Sequence, residues 1–266
     1  MPSHATVACI KWGTLFGAEY VNRLYSGVRR NLSCPVRFLC MTEHAEGLHP
    51  EIEVLDLPVE PFADPMAAAL KVANRQGAMR KVSLFRPGLI PDLEGPVLGF
   101  DLDVVITGSL DDLLTLAPGH VVMRHDWTEA RKGRPTGHGS VFRYDPAVHG
   151  FLYNDLAADA YREVEVARGS EQRYTSHKAM DNGVFTYIPG DWVVSFKYDC
   201  NPFPGNYLHP ARLPEDARVV CFHGRPKMPE AVAGYRGSVI RYAKPTPWLQ
   251  DHWIDRAKAD LGDRWG

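Results

Sequence analysis

Two aspartates spaced by one residue follow an apolar run near the middle of the chain. Asp101 and Asp103 come directly after Pro96–Phe100, whose apolar composition predicts a strand. In an extended backbone, residues two apart point to the same face, and α/β sheets bind ligands beyond the carboxyl ends of their strands. Carboxylate and diphosphate oxygens are the ligands that Mg²⁺ and Mn²⁺ favour. The pair therefore predicts a divalent-cation site that faces a phosphorylated ligand.

A histidine and a lysine-bearing turn follow a second apolar run late in the chain. Arg218–Phe222 predicts a strand, and His223, Gly224 and Lys227 come after it. Neutral imidazole is a good ligand for transition metals, and a lysine in the turn can pair with phosphate. Taken singly, each motif also suits a plain loop or helix cap after a strand. The functional interpretation therefore depends on the two motifs occurring together.

Together the two motifs resemble those of the glycogenin-like (family 8-like) retaining glycosyltransferases, which have the GT-A fold. The resemblance implies that Asp101, Asp103 and His223 hold Mn²⁺ or Mg²⁺, and that Gly224 and Lys227 contact the diphosphate of a nucleotide-sugar donor. It also implies a hexosyltransferase that acts with retention on the hydroxyl of a glycan, lipid-linked or small-molecule acceptor.

The same resemblance assigns roles to residues outside the two motifs. Trp12 and Gly13, just after the first predicted strand, would seat the nucleotide base. Lys81 would lie near the donor. Asp181 and Asn182 would line the donor sugar as catalytic residues, with Asn182 standing where the family has a glutamine.

The late motif departs from the family's spacing, which is His-x-x-Gly-x-x-Lys-Pro. Here His223 and Gly224 are adjacent. If Gly224 and Lys227 are the anchors, Cys221 occupies the histidine's position and Met228 the proline's. We prefer His223 as the ligand, because Cys221 should point into the core from its strand.

Strand-like and helical patterns alternate through the first half of the chain. The predicted strands and helices are Thr6–Ile10, Ala18–Leu32, Val36–Met41, Ile52–Leu57, a helix from Asp64 to Leu84 or Phe85, and Pro96–Phe100. This alternation predicts an α/β fold with a largely parallel sheet. With the resemblance, it predicts a GT-A-type nucleotide-binding fold: a single mixed, mostly parallel central sheet flanked by helices.

The second half is less regular. Strands are predicted at His120–Met123, Ser140–Tyr144 and Arg218–Phe222, and helices at Phe151–Ala167 and Trp248–Leu261. The resemblance makes 137–144 the strand that carries acceptor contacts. We expect one domain, 1–266, with a nucleotide-sugar-binding half, 1–115, and an acceptor-side half, 116–266, that includes the late motif.

Bulk properties exclude several classes of protein. The 266 residues have a formal net charge of −2, which does not suit a nucleic-acid-binding face. No apolar stretch approaches the roughly 20 residues that a transmembrane helix needs. The five cysteines lack paired zinc-type spacing, and several lie in apolar runs typical of reduced, buried thiols. These features predict a cytoplasmic protein.

Two alternatives remain at this stage. Phe100–Val105 is similar to the nucleophile motif of haloacid-dehalogenase-type phosphatases, in which the first aspartate, here Asp101, would be phosphorylated. In those enzymes the motif usually stands on the first strand, whereas about a hundred residues precede it here. A non-catalytic glycan-binding protein on the same fold is the second alternative.

Overall fold

A seven-stranded mixed sheet lies at the centre of the molecule. The computed structural model of the protein describes residues 4–74, 79–238 and 241–256. The described strands, in chain order, are β1 (Ala5–Lys11), β2 (Val36–Thr42), β3 (Glu53–Leu55), β4 (Val97–Phe100), β5 (Val104–Ile106), β6 (Val121–His125), β7 (Gly137–Tyr144), β8 (Phe185–Ile188), β9 (Val193–Ser195), β10 (Val219–Cys221), β11 (Tyr235–Arg236) and β12 (Tyr242–Ala243).

The central sheet has the order β3-β2-β1-β4-β7-β6-β8. β3, β2, β1 and β4 are mutually parallel, and β8 is parallel to β6. Only β7 is antiparallel to its two neighbours, β4 and β6. The mostly parallel central sheet is therefore confirmed. A second, three-stranded sheet of order β5-β10-β9 adjoins it, and β11 pairs with β12 in a short ribbon.

Helices cover both faces of the central sheet. The described helices are α1 (Ala18–Arg30), α2 (Ala63–Val72), α3 (Asp111–Thr115), α4 (Trp127–Ala130), α5 (Pro146–His149), α6 (Phe151–Ala158), α7 (Ala160–Val166), α8 (Glu171–Asp181), α9 (Met228–Ala233) and α10 (Leu249–His252). Alternate residues of β1 and β2 pack against α1 and α3 on one face, and against α2, α6, α7 and α8 on the other. These strands are mostly apolar because both faces are buried.

Two predicted helices are shorter than expected. The helix predicted from Asp64 ends at Val72, and a separate 3₁₀ helix, Arg80–Phe85, carries the end of the predicted segment; residues 75–78 lie outside the described residues. The helix predicted over 151–167 is two helices, because Asp159 leaves the helical conformation and caps α7 by accepting a hydrogen bond from the Arg162 amide. A capping aspartate favours a new helix start over continuation.

The helix predicted at Trp248–Leu261 is also reduced. Only Leu249–His252 is helical, residues 253–256 continue without helix, and residues 257–261 lie outside the described residues. The segment docks on α1: the Trp253 ring lies 5.4 Å from that of Tyr20, and the Arg23 guanidinium stacks on it at 3.9 Å. Tertiary contact therefore holds this segment.

The cysteines agree with the sequence-based prediction of reduced, buried thiols. All five cysteines are free and buried, and Cys221 faces the core, as predicted. Among the described residues, no helix combines the length and the apolar character needed to cross a bilayer. Strands of the two predicted halves are paired with each other, β4 with β7 and β5 with β10.

Candidate functional site

The two aspartates lie where the chain passes from β4 of the central sheet to β5 of the small sheet. The Asp101 amide donates to the Ser140 carbonyl (3.0 Å), and the Phe222 amide donates to the Asp103 carbonyl (2.8 Å). Leu102, between them, is buried in the core. Neighbouring strands β7 and β10 thus hold the bend from either side, and this leaves both carboxylates at the carboxyl end of β4.

Lys81 neutralises Asp101. Its ammonium donates to Asp101 Oδ1 (2.8 Å) and to the Gly139 carbonyl (2.9 Å), and it forms an ion pair with Glu171 Oε1 (3.3 Å). The Ser140 hydroxyl donates to the other oxygen of Asp101 at 2.9 Å. Both oxygens of the Asp101 carboxylate are therefore hydrogen-bonded within the protein.

The ionisation of these groups follows from the pairing. Burial opposes the charge of Lys81, but the adjacent Asp101 and Glu171 carboxylates outweigh it, so the pKa of Lys81 is raised. Burial raises the pKa of Asp101, but Lys81 and the Ser140 hydroxyl bring it below its ordinary value. Burial is the largest cause of the raised pKa of Glu171. The ion pair is therefore present at neutral pH.

Lys227 forms an ion pair with the second carboxylate, that of Asp103. Its ammonium lies 2.5 Å from Asp103 Oδ2 and donates to the Phe222 carbonyl at 3.0 Å. Burial and the nearby Asp101 charge together raise the pKa of Asp103, while Lys227 opposes them. Two carboxylates close enough to disfavour each other's charge mark a place where a cation is stabilised.

His223 packs among aromatic rings beside this pair. Its ring stacks on Trp127 with centroids 5.1 Å apart, and it lies near His138 (5.4 Å) and Tyr198 (5.5 Å). Its Nε2 is hydrogen-bonded to the Ser195 hydroxyl at 2.8 Å. Burial lowers the pKa of His223 to about 4, so the ring is neutral at neutral pH. A neutral imidazole is the form that binds metals.

The donor types fit Mn²⁺ or Mg²⁺, but the ligands are not preassembled. The mutual repulsion of Asp101 and Asp103 is what a divalent cation would relieve, and their carboxylate oxygens are ligands that it prefers. In the parts of the chain that the structure describes, however, no three histidine, cysteine, aspartate or glutamate side chains are grouped to hold a metal. His223 is therefore not brought into one ligand cluster with the two aspartates.

The turn after β10 carries the remaining residues of the late motif. Gly224 is exposed and has φ +83°, a conformation that side chains with a Cβ rarely adopt. The turn then leads to Lys227, which is the N-cap residue of α9. Gly224 therefore lets the chain reverse between His223 and the lysine that reaches Asp103.

The predicted nucleotide-binding loop lies beside an open cavity. The Gly13 amide donates to Glu43 Oε1 at 2.7 Å, and the exposed Trp12 ring lies under the Arg80 guanidinium at 5.3 Å. A cavity of about 640 Å³ lies between 11–18 and 43–46, at the carboxyl ends of β1 and β2. The loop is thus on the same side of the sheet as Asp101.

A larger cavity of about 840 Å³ adjoins the first at Glu43. Its lining includes Arg80 and Ser83, which flank Lys81 in the 3₁₀ helix, and residues of α2. The open space beside the loop after β1 therefore extends past Glu43 to the 3₁₀ helix that carries Lys81.

The first turn of helix α8 lies at the site, whereas its last turn lies away from it. Asp181 and Asn182 are exposed at the carboxyl end of α8, about 15 Å along the helix from Glu171. The structure thus does not bring these two predicted residues to Asp101. Instead, Gln172 accepts a hydrogen bond from the Gly139 amide (3.3 Å) and donates to Asp126 (3.0 Å).

The sequence analysis therefore missed Glu171 and Gln172. A signal was present, because Ser170 followed by acidic and amide residues is typical of a helix start. Nothing local, however, connected that start with Lys81, which is 90 residues away in the chain.

Solved glycosyltransferase structures share this fold. The galactosyltransferase LgtC, in complex with donor and acceptor sugar analogues, is 15% identical, with a TM-score of 0.52 over 84% of this chain and 88% of that chain. Mouse xyloside xylosyltransferase 1 is 10% identical, with a TM-score of 0.51 over 84% of this chain and 100% of that chain. GlyE of Streptococcus pneumoniae TIGR4 is 11% identical, with a TM-score of 0.56, and this chain covers 56% of it.

At these identities the likeness shows the fold. The chain has the GT-A type of α/β fold, in agreement with its sheet order and with these glycosyltransferases. Neither a scan against protein-family models nor a search of curated proteins found a match.

Proposed function

We propose that this protein is a glycosyltransferase of the glycogenin-like type that transfers a sugar from a nucleoside-diphosphate donor to an acceptor hydroxyl. One observation carries the proposal. In a GT-A fold, two lysines from distant parts of the chain converge on the two aspartates that end β4. Such a concentration of fixed charge at the ligand-binding edge of the sheet is typical of a phosphate site.

The two lysines supply charge where the leaving group forms. Cleavage of the bond between the anomeric carbon and the diphosphate oxygen leaves the electron pair on the diphosphate. The oxygen of the acceptor hydroxyl forms the new bond to that carbon, and the hydroxyl proton passes to the departing diphosphate. Lys81 is already desolvated and held by hydrogen bonds, so little reorganisation is needed for it to stabilise that charge.

A divalent cation, Mn²⁺ or Mg²⁺, belongs to the proposal. Asp101 and Asp103 would hold it. For His223 to be the third ligand, its Nδ1 would have to move towards them, because the three side chains are not clustered and Nε2 is hydrogen-bonded to Ser195. Bound there, the ion would act as a Lewis acid on the diphosphate. The composition of the site supports this, because the three carboxyl groups of Asp101, Asp103 and Glu171 outnumber the two lysines that pair with them.

The sugar side of the site is assigned to the first turn of α8. Gln172 lies one residue from Glu171 and is linked through Gly139 to Lys81. A second LgtC structure, with a TM-score of 0.53 and 14% identity, is of an active-site variant in which glutamine is replaced by glutamate. We therefore assign to Gln172 the role beside the sugar that the sequence suggested for Asp181 and Asn182. Retention of configuration remains part of the proposal.

The nucleotide and the acceptor would bind on either side of these groups. Trp12 and Gly13, with the cavity beside Glu43, suit a nucleoside, and β7, which carries Gly139 and Ser140, would contact the acceptor. The acceptor is a glycan, a lipid-linked molecule or a small molecule. The five free, buried thiols suit a reducing, cytoplasmic setting.

The phosphatase alternative is less well supported. In those phosphatases the nucleophilic aspartate usually follows the first strand, whereas Asp101 follows β4. Strand β4, which precedes Asp101, is fourth in the sheet and pairs with the antiparallel strand β7. A glycan-binding protein without activity would not require buried lysine–aspartate pairs.

The experiment is a thermal-shift panel of nucleoside diphosphates and nucleotide sugars, with and without Mn²⁺. A ligand that binds the folded state raises the melting temperature by mass action. We expect a shift with one nucleoside diphosphate that needs the metal and is lost in Asp103→Asn. Asp181→Asn is the matched control, because it removes a carboxylate that is exposed at the far end of α8. The absence of a shift with every nucleotide would contradict the proposal.

A further inference from the structure

The two lysines at the site are held very differently. Lys81 has three acceptors, the Asp101 carboxylate, the Gly139 carbonyl and the Glu171 carboxylate, and its backbone amide also donates to Glu171. Lys227 has one carboxylate, that of Asp103, and one carbonyl. Displacing the ammonium group of Lys227 therefore breaks fewer interactions than displacing that of Lys81.

Open space is also available for the side chain of Lys227 to move into. It is the N-cap residue of α9 and follows the exposed turn at Gly224. Its ammonium lies 5.5 Å from the centre of the Phe16 ring, in the loop that borders the open cavity after β1. A rotation of the flexible side chain would carry the charge towards that space without moving the backbone.

An ammonium group and a divalent cation on the same carboxylate, whether on one oxygen or on its two oxygens, would lie within a few ångströms of each other. Their positive charges would repel each other strongly at such a separation. We propose that Lys227 is an internal competitor of the metal: in the metal-free protein its ammonium occupies Asp103, and a divalent cation binds only by displacing it. This inference rests on the proposed function, since it requires a cation at Asp103.

Competition between Lys227 and the metal for Asp103 also affects the binding of the nucleotide-sugar donor. When the metal has displaced Lys227 from Asp103, diphosphate oxygens offer its ammonium group a new partner. The metal and the nucleotide therefore each increase the affinity for the other. Such coupling is reciprocal. The metal-free carboxylate pair is thereby kept neutralised until the donor arrives.

The test measures the affinity for Mn²⁺ alone, from the electron paramagnetic resonance signal of the free ion. Lys227→Met removes the competitor, and we expect it to bind Mn²⁺ about tenfold more tightly than the wild type, within the range usual for site coupling. Lys227→Arg keeps a cation and should remain weak. Far-ultraviolet circular dichroism verifies that each variant is folded.

Lys197→Met is the matched control. Lys197 has the same charge and lowers the pKa of His223 by its proximity, but it packs over the Tyr198 ring. Equal tightening in Lys197→Met and Lys227→Met would show a general charge effect and overturn the inference. Equal affinity in the wild type and Lys227→Met would also overturn it, while leaving the proposed function intact. No Mn²⁺ binding by any variant would overturn both the inference and the proposed metal site.

A second measurement adds the nucleoside diphosphate that gives a thermal shift. We expect the advantage of Lys227→Met over the wild type to shrink, because the displaced lysine of the wild type now has the diphosphate as partner. An advantage that the nucleotide leaves unchanged would contradict the coupling.

Discussion

At the level of single residues, the site depends on how two lysines share three carboxylates. Lys81 lies between Asp101 and Glu171, and among the three carboxylates Lys227 pairs with Asp103. Removing one member of such a buried set leaves uncompensated charge, which costs more than the intact pair contributes. The stability of the site and its readiness for ligands are therefore controlled by the same few side chains.

Replacing Lys81 tests this balance. Lys81→Met leaves Asp101 and Glu171 as unpaired, largely buried carboxylates, and we expect a loss of about 3 kcal/mol in the free energy of unfolding. The double variant Lys81→Met, Glu171→Gln removes one of the two charges and should recover part of that loss. Urea unfolding measures both. A double variant no more stable than the single one would contradict the assigned role of Glu171.

His149 gives the protein a defined sensitivity to acid. Its Nδ1 accepts from the Asp145 amide (2.9 Å), its Nε2 contacts the Gly119 carbonyl (3.0 Å), and the side chain is 1% exposed. Burial lowers the pKa of His149, so the unfolded chain binds the proton first. Stability should therefore fall as the pH drops below the ordinary histidine value of about 6.5.

His149→Asn tests the contribution of this histidine. The variant should be less stable at neutral pH but lose less stability than the wild type between about pH 7.5 and pH 5, because it lacks this titration. Urea unfolding at the two pH values measures the difference. The same pH dependence in both proteins would show that His149 does not contribute.

At the level of elements, close packing between β4 and β7 sets the position of the site. Gly99 in β4 lies directly under the Phe142 ring of β7. The ammonium of Lys81 lies 5.7 Å from the centre of that ring. The missing side chain at 99 thus lets the strand that ends at Asp101 pack against the strand whose Gly139 and Ser140 hold the site.

Gly99→Ala should disturb this packing. A Cβ at 99 would lie 2.3 Å from Phe142, so the ring must move, at a cost of about 2 kcal/mol, as is usual for overpacking. We expect lower stability and weaker nucleotide binding together. Gly205→Ala is the control, because its Cβ would meet no atom within 4 Å. A Gly99→Ala protein as stable as Gly205→Ala would contradict this interpretation.

At the level of the whole molecule, the two predicted halves share their sheets. β7 separates β4 from β6 in the central sheet, and β10 lies between β5 and β9 in the small one. The aspartate-bearing bend therefore owes its two backbone hydrogen bonds to strands of the second half. We propose on this ground that 1–266 is one domain.

A single cooperative unfolding transition follows from this arrangement. Far-ultraviolet circular dichroism reports the helices and strands, and tryptophan fluorescence reports sites spread from Trp12 to Trp253. We expect the two probes to give one coincident midpoint in urea. Separate midpoints would show that the halves unfold independently.

The sequence by itself determined the features that are local. Apolar runs and helical spacing predicted β1, β2, β4 and α1, because burial of a strand or of one helix face leaves a regular pattern. It also indicated Asp101, Asp103 and the turn to Lys227, since each stands at the end of such a run. The sequence-based ends of three helices were wrong, because the break after Val72, the cap at Asp159 and the end of α10 at His252 outweigh average spacing.

Only the tertiary structure determined which residues contact Asp101 and Lys81. The insertion of β7 beside β4 brings Gly139 and Ser140 to Asp101, and the packing of α8 on that strand brings Glu171 to Lys81. Asp181, ten residues further along the helix, is directed elsewhere for the same reason. Strand order and helix packing depend on contacts between residues far apart in the chain, which leave no periodic signal in a single sequence.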